Sequence, residues 1–83
     1  MKIIATVVKG KCLGGYHKVG DIFEITGDRM PGGICMGALL NMVPMVIGLQ
    51  NGAKYRWEKD KDKATFHCAD EPGLTFELRR VKE

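Results

Sequence analysis

Thr65-Phe66-His67-Cys68-Ala69-Asp70-Glu71-Pro72-Gly73-Leu74-Thr75-Phe76-Glu77-Leu78-Arg79 alternates apolar and polar residues on both sides of one turn signal. Pro72-Gly73 stands in type II order, so the stretch reads as an antiparallel hairpin. With five residues in the connection, Cys68 pairs with Leu74, Phe66 with Phe76 and Ala64 with Leu78. All six then share one face, while His67, Thr75, Glu77 and Arg79 occupy the other. A slip of one residue would mix the two sets, so the pattern selects this register.

Working outward, Lys2 to Lys9 is rich in β-branched residues and apolar at both parities, the pattern of a central strand covered on both sides. Gly10 to Gly20 carries four glycines and reads as a loop. Asp21 to Thr26 reads as a second strand ended by Gly27-Asp28, and Lys54 to Trp57 as a short edge strand. Glu58 to Lys63 alternates in charge and reads as a solvated turn.

Between these lies an apolar run, Ile34 to Leu49. Met36, Leu39, Leu40, Val43 and Ile47 follow helical spacing, which marks them as the buried stripe. Pro44 lacks an amide donor, so the helix is expected to be kinked or broken there, and Asn51-Gly52 stops it. Cys35, Met42, Met45, Val46 and Leu49 make the helix apolar nearly all round. So small a domain has little left to cover a second face, which predicts a homo-oligomer formed through Met42, Met45, Val46 and Leu49. The fold class is α+β in a single domain, residues 1–83. It comprises a small, mostly antiparallel sheet or partly open barrel packed against one Pro-broken apolar helix.

Composition narrows the function. The chain has 83 residues, 45% hydrophobic and 28% charged, with a net charge of +3. That balance excludes a disordered tail, and the interleaved signs exert no strong pull on nucleic acid or membranes. The basic residues Lys9, Lys11, Lys18, Arg79 and Arg80 have few aromatics among them, so no nucleic-acid face is expected. The apolar run is too short for a membrane span, and the N-terminus lacks a signal-peptide pattern. Three cysteines form an odd, widely spaced set, which suits a cytoplasmic protein with reduced thiols better than a secreted one.

Two constellations could carry chemistry. Cys12, His17, Cys35 and Cys68 supply three thiolates and an imidazole, a donor set suited to zinc or iron. They lack the close ligand pairs of structural zinc sites, and the plainer reading makes the cysteines packing residues. Cys35 follows Gly32-Gly33-Ile34 at a helix start, where a thiol's pKa falls, so Cys35 is a candidate nucleophile or redox thiol with His17 as its base. No C-x-x-C or nucleophile elbow supports it. Gly10-x3-Gly14-Gly15 follows a strand but lacks the spacing of a phosphate loop.

Val8-Lys9-Gly10-Lys11-Cys12, His17-Lys18-Val19-Gly20-Asp21, Gly33-Ile34-Cys35, Trp57-Glu58 with Asp60, Cys68-Ala69-Asp70 and Phe76-Glu77-Leu78-Arg79-Arg80 recur in one order over nearly the whole chain. Together they resemble a family of small bacterial and archaeal proteins with three cysteines and an H-K-x-G-D segment. The resemblance implies a joint role for Cys12, His17, Cys35 and Cys68, and it brings no activity with it. The chain departs in a longer gap between Cys12 and His17, and in Met36 and Ala69 where proline is common. The reading favours a non-enzymatic module that self-associates or serves as an accessory subunit. The alternative is a cysteine-based metal or thiol protein.

Overall fold

A computed structural model of the chain describes residues 2–12, 14–68 and 73–81. Four strands, β1 (Lys2–Gly10), β2 (Ile22–Thr26), β3 (Lys63–His67) and β4 (Leu74–Val81), form one antiparallel sheet in the order β2-β1-β4-β3. A single helix, α1 (Met36–Gln50), lies across one face. The sheet is open, with β2 and β3 at its edges, and the fold is α+β.

The hairpin has the register that its alternation demands. Ala64 pairs with Leu78 and Phe66 with Phe76, and the Cys68 amide donates to the Leu74 carbonyl at 3.0 Å. On the outer face, His67 Nδ1 lies 2.9 Å from the Thr75 hydroxyl. Of the expected Pro72-Gly73 turn, residues 69–72 lie outside the described residues.

β1 is central, as expected, but only one of its faces is covered. Ile3, Ala5 and Val7 are buried, while Lys2, Ile4 and Thr6 are half-buried on a polar outer face. That face carries the Lys2–Glu24 and Lys63–Glu77 ion pairs. One helix covers one side of a sheet, and the described residues form only one. At Val8 a bulge shifts the β1–β4 register between Val7 and Lys9. Gly10 ends the strand at a φ of +101°, and any side chain there would collide with the Gly73 carbonyl. The backbone approach demands glycine.

Lys54 to Trp57 is not a strand. It does not extend the sheet at β3, where side chains hold two of the outward-facing groups. The Glu58 carboxylate accepts from the Thr65 amide at 2.9 Å, and the Asn41 side chain donates to the His67 carbonyl at 2.9 Å. The side chains cap the edge against further pairing.

The helix corrects two expectations. It runs unbroken through Pro44. Pro44 cannot donate to the Leu40 carbonyl, but both residues lie on the exposed side, where solvent can satisfy that group. Its faces are also the reverse of those expected. Met42, Val46 and Leu49 are buried with Ala38, and Met45 packs partly against the same core. They meet Ala5, Ala64, Phe76 and Leu78 in one cluster, and they are therefore not an available interface. The stripe read as buried points outward instead.

Candidate functional site

The loop from Lys11 to Asp21 leaves the bulged end of β1 and returns to start β2. Two contacts tie its far end to the sheet: the Val7 amide donates to the Asp21 carbonyl and the Gly20 amide to the Val7 carbonyl, both at 2.9 Å. Gly15, at a φ of +73°, turns the chain back on itself. Its amide donates to the Cys12 carbonyl at 3.1 Å. The following amides consequently converge on the half-buried Cys12 thiol. Hydrogen bonding from the His17 amide, then from Tyr16, holds that thiol below the ordinary cysteine range. Partial desolvation opposes them, and the Gly14 and Gly15 amides add to the lowering.

His17 is buried at the base of this loop. Its ring stands edge-on to Phe23 at 5.3 Å and to Phe76 at 6.4 Å. Nε2 accepts from the Cys35 amide at 3.1 Å. In a neutral ring that acceptor role leaves the proton on Nδ1, which faces an Asp21 carboxylate oxygen 3.9 Å away. The Lys18 amide, at 3.1 Å, steadies the same oxygen. His17 thus fastens the glycine loop to the start of α1. It holds a position and is not free to act as a base toward Cys35.

Cys35 is the N-cap of α1, and its side chain makes no capping hydrogen bond. A hollow of about 320 Å³ beside it is lined by Tyr16, Gly33, Ile34, Cys35 and Met36. Cys68 lies in the core, where its sulfur accepts from the Leu74 amide at 3.2 Å. The four residues expected to share a metal therefore have separate occupations. Among the described residues, no three His, Cys, Asp or Glu side chains are grouped to hold a metal ion. The thiol that its surroundings single out is Cys12, not Cys35. The signal was the Cys-x-Gly-Gly spacing, in which two glycines right after a cysteine let the chain curl around the sulfur.

A second surface stands out on the helix. Met36, Leu40 and Ile47 are 85%, 72% and 54% exposed, although all three are large and apolar. Val43 is half-buried between them, and Pro44 lies open beside them. No residue of α1 is charged. The face runs into a cleft of about 340 Å³ between the helix and the turn after β2, walled by Ile25, Met30, Val43 and Ile47. Among the described residues no helix is long and apolar enough to cross a membrane. No protein-family model, curated protein or solved structure matches the chain.

Proposed function

We propose that the protein is a small non-enzymatic module that self-associates, burying the outer face of α1 against a second copy of the chain. The observation that carries this reading is the exposed row Met36, Leu40 and Ile47 on a helix without a single charge. Solvent-facing helical surfaces are ordinarily polar or charged, and an apolar patch of this size marks a contact surface. An uncharged face offers nothing to an ionic partner but complements itself, as a two-fold interface requires. Its exposed area is roughly 500 Å² per copy, so a symmetric pair buries about 1,000 Å², the lower end for a specific interface. Association in the micromolar range is expected. The three free cysteines fit a reducing compartment, and we place the module in the cytoplasm.

Sedimentation equilibrium at roughly 100 µM, well above such a Kd, should show dimer. Leu40→Glu should shift it to monomer with an unchanged circular dichroism spectrum, because Leu40 is no part of the core. A wild-type chain that stays monomeric at that concentration would sink the reading.

The ring of amides around Cys12 favours a second reading, a reactive or redox thiol centred on Cys12. Thiolate is the reacting form, so a lowered pKa moves alkylation to lower pH. In the folded protein, Cys12 is expected to label with iodoacetamide ahead of Cys35 and Cys68. Its rate should reach half-maximum below the pH found for the unfolded chain. Mass mapping of the labelled peptides over a pH series checks this. Equal midpoints in folded and unfolded protein would end the thiol reading.

A further inference from the structure

Building on that self-association, we infer an antiparallel, two-fold symmetric helix pair in which Met36 of each copy fills the cleft beside Ile47 of the other. The outward stripe is Met36, Leu40, Val43 and Ile47. Its spacing of four, three and four residues reads the same in both directions. An antiparallel pair therefore sets Met36 against Ile47 and Leu40 against Val43, twice each. A parallel pair sets each residue against itself and leaves the clefts empty.

The cleft lies at the C-terminal half of α1, with Ile25, Met30, Val43 and Ile47 as its apolar wall and Asp28 and Arg29 at its polar side. Met36 stands eleven residues before Ile47 on the same side of the helix, roughly 16 Å along its axis. It cannot reach the cleft of its own chain. Only a copy running the other way brings it there. Met36 is the most exposed of the large apolar side chains, and its unbranched thioether adapts to irregular holes. The helix ends agree with this direction. The first turn has no acidic residue to offset the dipole there, while Arg80 meets the opposite end at the Leu49 carbonyl. Antiparallel pairing places opposite ends together.

Sedimentation of five chains tests the inference: wild type, Met36→Ala, Met36→Glu, Ile47→Lys and the Met36→Glu/Ile47→Lys double variant. Both positions are exposed, so each chain should keep the wild-type circular dichroism spectrum. Met36→Ala should weaken association about a hundredfold, because each two-fold pair loses two buried methionines. Each charged single variant should weaken it further. At low salt the double variant should associate at least about threefold more tightly than either, because the new carboxylate of one copy meets the new ammonium of the other. A double variant no tighter than the singles would overturn the antiparallel arrangement, and unchanged association of Met36→Ala would overturn the filled cleft. A monomeric wild type would instead overturn the self-association on which both rest.

Discussion

Phe76→Ala should lower the unfolding free energy by about 4 kcal/mol, at the upper end of what one core truncation costs. Phe76 is wholly buried on the central strand β4. Its ring stacks on Phe66 with centroids 5.0 Å apart and an interplanar angle of 12°, and it underlies the His17 ring. Truncation removes both contacts and leaves a void between sheet and helix. An 83-residue domain has roughly 5–10 kcal/mol in total, so the variant should be largely unfolded on mild heating. Phe76→Leu keeps most of the volume and should cost about 1.5 kcal/mol. It also loosens the aromatic seat of His17. Urea unfolding followed by circular dichroism measures both. A cost below about 1.5 kcal/mol for Phe76→Ala would mean the core closes over the gap.

The hairpin was legible because Ala64, Phe66, Cys68, Leu74, Phe76 and Leu78 share one parity, and only one register puts them all inside. The existence of the helix was equally legible, but its orientation was not. Helices announce their solvent side with charge, and α1 has none. Its polar side chains, Asn41 and Gln50, are nine residues apart, about half a turn around the axis. Asn41 bonds to the His67 carbonyl on the β3 side, and Gln50 to the Gly27 carbonyl on the β2 side. Two polar residues on opposite flanks leave the inward and outward faces indistinguishable. Ala38 lies flat against the sheet, whereas Met36 and Leu40 are free to project.

The thiol site was only half legible. His17 does bridge from the glycine loop to Cys35 at the start of α1. The bridge, however, is made through the Cys35 amide, a group that carries no sequence signature. The amides around Cys12 depend on the dihedral angles of Gly14 and Gly15, which residue identity permits without specifying. Lys54 to Trp57 failed as a strand for a related reason. Its aromatic and basic pattern suits an edge, but the β3 edge is capped by side chains, Glu58 next to the segment and Asn41 from the distant helix.

Arg80→Ala should cost about 3 kcal/mol, the second-largest single effect expected. The Arg80 side chain is 8% exposed, and its guanidinium gathers three separated pieces of backbone. Nη1 donates to the Leu49 carbonyl at 2.8 Å and the Ala53 carbonyl at 3.2 Å, and Nη2 donates to the Lys61 carbonyl at 2.6 Å. Leu49 lies in the last turn of α1, where carbonyls lack helical partners and the dipole favours a cation. Arg80 thereby fixes the helix end, its exit and the loop that feeds β3. Alanine takes the guanidinium from all three carbonyls and leaves the Leu49 carbonyl to the Gly52 amide at 3.2 Å. Arg80→Lys keeps the charge but not the fork, and one ammonium cannot span the same three oxygens, so it should recover no more than about half the loss. Asp62 also meets Arg80, with Oδ1 at 3.1 Å from Nη2, but it is half exposed. Asp62→Asn should therefore cost under about 1 kcal/mol. That ordering, alanine worst, lysine intermediate and Asp62→Asn mildest, separates carbonyl anchoring from a simple ion pair. If Asp62→Asn proved as damaging as Arg80→Ala in urea unfolding, the ion pair and not the carbonyls would be what holds this corner.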